Sequence, residues 1–150
     1  MRSIRPLRSD WYLHEADAAA PLDAPALARQ LLASRPDALA AAGWLPTPVP
    51  ALVHDVLAAH GLLPDPRSAA SADALRRASE RDWLFATTFP TPSAAGGPIV
   101  LRFRGLDTLA TVTLNDEPLG TFASMFCEHA VDVSGRLAPT GQRNVLAVHV

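Results

Sequence analysis

The sequence predicts an all-β-dominated, antiparallel sandwich or barrel with a few short helices ahead of it. Three observations carry that reading. The hydrophobic period changes from 3.6 to 2 after Asp82. Beyond that point short apolar runs alternate with polar turns at the spacing of an antiparallel sheet. With 150 residues, 49% hydrophobic and 19% charged, the chain has the apolar content for a core. A chain of this length buries roughly 70% of its unfolded surface.

The elements follow in order. "WYLH" (11–14) is a first short strand. Residues 16–43 read as a helical insertion, a surface excursion of one or two short helices. Leu27, Leu31 and Leu32 fall at helical spacing, Pro36 interrupts and Gly43 stops. "ALVHDVLAAHG" (51–61) is a clearer helix, with Leu52, Val56 and Leu57 on one face. "LPDPRS" is a turn by its two prolines, and "ADALRRASER" allows a last helical turn or two.

The sandwich is expected mainly over 83–150. In "PIVLRFRG" Ile99, Leu101 and Phe103 alternate with Val100, Arg102 and Arg104, the pattern of a half-buried strand. In "LATVTLN" Ala110, Val112 and Leu114 share one face, Thr111 and Thr113 the other. "NDEP" is a hairpin turn into "LGTF". "HAVDVSG" and "NVLAVHV" are two further strands. No partner strand is encoded after "NVLAVHV", so it is expected at an exposed, self-associating sheet edge that leaves the sandwich incomplete at the C-terminus.

Composition excludes several functions. Net charge is −2, with 13 basic and 15 acidic residues spread along the chain. Nothing there favours nucleic acid or an anionic membrane as partner. The single Cys127 rules out a disulfide framework and a cysteine-based zinc site. Every basic residue is Arg, which with the abundant Ala and Pro suggests a GC-rich bacterial genome. The N-terminus lacks the apolar run of a signal peptide and no stretch reaches membrane-spanning length. A soluble, cytoplasmic chain is expected.

No phosphate loop, GxSxG elbow, HExxH or Cys-x-x-Cys occurs, so no cofactor and no metal is expected. Cys127 and His129 would share a strand face, but a metal needs further ligands. Glycoside hydrolysis needs two opposed carboxyls about 5–5.5 or 6.5–9.5 Å apart, and spacing alone selects no such pair.

The order of several segments is more specific. "WLPTPVPALVHDVLAAHGLLPDP" (44–66), "ERDWLFATTF" (80–89), "LRFRGLDTLATVTLNDEPLG" (101–120), "SMF" (124–126) and "VDVSGRLAPTGQRNVLAVHV" (131–150) resemble the N-terminal domain of family 2 glycoside hydrolases, nearest the β-mannosidases. The resemblance implies one galactose-binding-domain-like jelly-roll domain over 1–150, with a sugar-binding role in the intact enzyme. It also implies a (β/α)₈ barrel elsewhere, carrying two glutamates for retaining hydrolysis of terminal β-mannosides. The carbohydrate and that barrel are the implied partners. The glutamates, and the "GWDWG" segment that reaches the mannose, are expected beyond residue 150.

Substrate-binding candidates follow from the same resemblance: Asp82, Trp83 and Ser71. A large aromatic at a strand start usually packs, and Asp82 can equally serve a turn. Departures bear on these positions. The Asn and Glu of the family's "F-x-G-x-NE" loop fall on Ser71 and Ala72. The Gly of "VPG" is Ala51, that of "LNG" is Asp116, and the Arg after "MF" is Cys127. A free-standing carbohydrate-binding module and a non-catalytic remnant are the competing readings.

Overall fold

The computed structural model describes residues 4–16, 23–65, 67–68, 71–92 and 97–150. The elements among them are β1 (Trp11–Glu15), α1 (Ala24–Ala33), α2 (Pro36–Ala41), β2 (Leu45–Thr47), α3 (Val53–Ala59), α4 (Ser71–Ser79), β3 (Trp83–Pro90), β4 (Val100–Phe103), β5 (Leu109–Leu114), β6 (Glu117–Ala123), β7 (His129–Asp132) and β8 (Arg143–His149). Six strands form one antiparallel sheet in the order β2-β1-β3-β8-β5-β6, and β4 pairs antiparallel with β7 in a second. The large sheet stays open between β2 and β6, so the sandwich form holds and the barrel does not.

The inner face of the large sheet carries Trp11, Phe89, Val112, Leu114, Leu146 and Val148. Ile99, Leu101, Phe103 and Val131 of the second sheet close over them. The alternation read in 99–103 and 110–114 therefore faces the core as expected. Toward the β1–β3 end, α3 and α4 continue that cover, with Val56, Leu57 and Ala78 against Leu13 and Trp83.

The outer face is not open over β3 and β8. Leu84, Ala86, Val145 and Ala147 are roofed by Leu27 and Leu31 of α1, Leu39 of α2, and Trp44. The expected surface excursion is thus a structural layer. Asp23 caps α1 by accepting the Ala26 N–H at 2.9 Å. Pro36 opens α2, where its missing N–H costs nothing, and Gly43 ends the segment at φ +83°.

Two expectations need correcting. Strand β8 is no edge: it pairs with β3 from Leu84↔His149 to Pro90↔Arg143, and with β5 from Thr111↔His149 to Leu114↔Leu146. Residues 144–148 are all buried because both faces are covered, which is why the run from Val145 to Val148 is apolar throughout. Leu52 does not share the buried face of α3. It precedes the first helical turn with extended backbone and stands 59% exposed, while Val56 and Leu57 are buried.

The β5–β6 hairpin closes through Asn115 and Asp116, at φ +49° and +71°. A two-residue turn with both residues left-handed matches the twist of its strands. Asn-Asp makes this turn where Asn-Gly would make it with less strain.

Candidate functional site

The three residues singled out from the sequence lie along one connection, α4 into β3. Ser71 begins α4 and is buried, its hydroxyl donating to the Ser68 carbonyl at 2.8 Å. Trp83 begins β3 at 7% exposure. Its indole N–H donates to the Ala78 carbonyl at 2.9 Å, and its ring packs among Leu13, Val56 and Leu57. Its backbone exchanges two 2.8 Å hydrogen bonds with Val150. The nine residues of α4 carry the chain about 12 Å along the helix from Ser71 to Ser79, three residues before Asp82. Ser71 and Asp82 are therefore held at opposite ends of one helix, not in one constellation.

Asp82 presents its side chain at the surface. Its main-chain carbonyl accepts the Ala16 N–H at 2.8 Å, which fixes the backbone, and its carboxylate lies 3.8 Å from His149 Nε2. Arg81 beside it pairs with Glu15 of β1. Register extends the polar strip across the sheet: His149 is opposite Thr111, and Thr111 opposite Thr121, with their hydroxyls 3.3 Å apart. This strip of Asp82, His149, Thr111 and Thr121 can donate and accept hydrogen bonds to a hydroxylated ligand. His149 was not singled out from sequence. It ends an otherwise apolar run, and only strand pairing shows that it meets Asp82.

A concavity, about 330 Å³ and wide open, lies at the other end of the hairpin between Leu32, Asn115, Asp116, Glu117, Arg136 and Leu137. Its polar groups serve the fold. The Asn115 amide donates to Arg136 O and Asn144 Oδ1 and accepts from Val145 N, while Arg136 donates to Pro118 O. Among the described residues no aromatic ring lines it. Among the described residues no three His, Cys, Asp or Glu side chains gather as a metal site, and no helix is long and apolar enough to cross a membrane. Cys127 and His129 instead both meet Ser124, the thiol at its hydroxyl (3.7 Å) and the imidazole at its carbonyl (3.3 Å).

Fold and strip together define an open antiparallel β-sandwich domain with polar side chains gathered at one sheet end. The family of glycosyl hydrolase 2 galactose-binding-domain-like domains matches residues 11–150, and the chain belongs to it. Beta-mannosidase B of Aspergillus flavus is 36% identical over 101 residues, covering 65% of this chain and 12% of the relative. Among solved structures, the beta-D-mannosidase of Dictyoglomus thermophilum superposes at TM-score 0.71 with 22% identity, over 96% of this chain and 15% of that one. The exo-chitosanase of Amycolatopsis orientalis superposes at 0.72 with 19% identity, over 97% and 16%. At those identities the superpositions speak to fold alone. The chain spans about one-eighth of the length of the curated relatives it matches.

Proposed function

We propose that this domain serves a larger hydrolase of β-mannosidase type, bracing its catalytic barrel and walling one side of a pocket for terminal β-mannosides. The observation that carries the reading is the 36% identity to a beta-mannosidase B. Within the domain, Asp82 is the carbohydrate contact, because its carboxylate is the one polar side-chain group of the three candidates left facing solvent. Trp83 and Ser71 position it, through the strand start and through α4. The reading includes a cytoplasmic location. It also keeps a bacterial origin, to which the curated fungal relatives lend no support. A free-standing binding module is disfavoured, since Trp11, Trp44 and Trp83 are all buried and offer a sugar no exposed indole platform.

The test is an assay of both forms on an aryl β-mannoside. The 150-residue chain alone is expected to be inert and to bind mannose at about 1 mM or weaker. A polypeptide carrying the domain together with a barrel is expected to turn the substrate over, with Asp82→Asn raising KM more than it lowers kcat. Preference of that polypeptide for a β-glucosaminide or β-glucuronide would overturn the mannoside assignment. Micromolar mannoside binding by the chain alone would favour the free-standing module.

A further inference from the structure

We propose that the turn at residues 124–127, with Phe126 at its tip and Leu109 beside it, is the surface through which this domain docks onto a larger domain of the same polypeptide. The proposal rests on the reading of the chain as one part of a larger hydrolase. Three of the exposed large apolar side chains fall on two adjoining segments here: Leu109 is 65% exposed, Met125 43% and Phe126 89%. Leu109 is paired with Ala123, and the Ser124 N–H donates to the Thr108 carbonyl at 2.9 Å, so the two segments are neighbours. The approach is close enough that a Cβ on Gly105 would fall 2.8 Å from the Met125 carbonyl oxygen.

The turn is also braced by its neighbours. Ser124 sits at φ +108°, a conformation few residues other than glycine adopt, so the surroundings must enforce it. They do so through a hydrogen bond from the Phe126 N–H to Ser124 Oγ at 3.2 Å, the contact of His129 Nε2 with the Ser124 carbonyl, and the His129 ring 4.9 Å from that of Phe122. An aromatic side chain pushed into water by a braced backbone loses little freedom when a partner covers it, which is what an interface anchor needs. The Arg102–Glu128 pair, half exposed on the adjoining β4–β7 sheet, adds the polar border expected around such an anchor.

The relatives identify the occupant. The matched segment is 12% of the A. flavus protein and 15% of the D. thermophilum chain, so in them a domain of this kind is joined to a body several times its size. Domain interfaces within one chain typically cover about 600–1,500 Å². A braced patch with an apolar centre and a charged pair beside it suits that class of contact.

Cys127, the chain's one cysteine, is exposed beside Phe126 and reports on the patch directly. Iodoacetamide labelling of its peptide would be followed by mass spectrometry in the intact polypeptide from the native gene, with the urea-unfolded protein as reference. Labelling in the folded polypeptide is expected to be at least about tenfold slower than in its Phe126→Asp variant. Leu62→Asp, at an exposed leucine outside the patch, is expected to leave the protection intact. Equal labelling of Cys127 with and without Phe126→Asp, in an active hydrolase, would overturn the docking surface and leave the hydrolase reading standing. Protection that appears in the 150-residue chain alone and grows with concentration would assign the patch to a second copy and overturn the proposal. A native polypeptide with no further domain would overturn both readings.

Discussion

The two ends of the β5–β6 hairpin invert the usual rule of polarity. At the turn end, Asn144 is fully buried although it is an amide, and Asn115 reaches into the same network. At the open end, Leu109, Met125 and Phe126 stand in water although they are apolar. The difference teaches what each end is for. A polar group goes inside where its protons and lone pairs are met, and once inside it specifies one arrangement. Asn144 Oδ1 accepts from Ala138 N and Asn115 Nδ2 at 2.8 Å each, and its Nδ2 donates to Thr91 Oγ1 at 2.9 Å. That end locks three segments together, whereas the apolar end offers surface to something else.

The sharpest way to break this comparison is Asn144→Ala. It leaves the Ala138 N–H and an Asn115 proton without their acceptor and takes a donor from the Thr91 hydroxyl, which still donates to the Ala138 carbonyl, and is expected to cost about 2–4 kcal/mol in urea unfolding. A loss under about 1 kcal/mol would mean that water replaces the amide and that the lock is not specific. Asn115→Ala comes next, at about 1–3 kcal/mol. It removes both donated bonds and the acceptor for Val145 N, and puts alanine at a left-handed φ. Asn115→Gly keeps the backbone relief and loses only the bonds, so the difference between the two variants isolates the turn strain.

How far these features could be read beforehand depends on where their causes lie. Strand β5 was legible because one of its faces is buried and the other is not, which prints a period of 2 on the sequence. The Asn-Asp turn was legible from its residue types. Strand β8 was misplaced because a strand buried on both faces has no period to show, and its partners β3 and β5 are remote in sequence. Its outer cover was missed for a related reason. The helices over residues 24–41 are Ala-rich, and among the described residues Leu27, Leu31 and Leu39 are their buried large side chains, while Leu32, at the same helical spacing as Leu27 and Leu31, is half exposed. In the candidate site, Asp82 and Trp83 were legible as a strand start. The indole bond to Ala78 and the approach of His149 depend on α4 and on register, which no local pattern encodes.

Asp116→Gly tests the turn from the stabilising side. Asp116 sits at φ +71° in the second position of the two-residue turn, where glycine meets no steric penalty. The substitution is expected to raise stability by about 0.5–1 kcal/mol, read as a higher urea midpoint at unchanged slope. A decrease would show that the Asp116 side chain holds the turn by contacts of its own.

The smallest expected effect sharpens the comparison by moving the same kind of bond to the surface. Asp132, at the end of β7, accepts from the Ser134 hydroxyl at 2.6 Å and from the Ser134 N–H at 2.9 Å, much as Asn144 caps its neighbours. The side-chain bond from Ser134 first, and the backbone bond second, hold its carboxyl below the ordinary value of 3.8, against a small opposing effect of desolvation. A carboxylate whose pKa is depressed by folding stabilises the fold fully above its unfolded value, and loses that contribution as pH falls through the folded one. The window therefore lies at and below pH 3.8, and water screening at this exposed site keeps the loss small. An NMR titration should find Asp132 below the ordinary carboxylate range in the native chain and moved upward in Ser134→Ala. That variant also removes the Ser134 Oγ acceptor for the Ile99 N–H, so a matching drop in protection of the Ile99 amide is expected. An unshifted Asp132 would mean that hydrogen bonds of native geometry do not persist at this surface, and that burial, rather than geometry, gives the Asn144 network its strength.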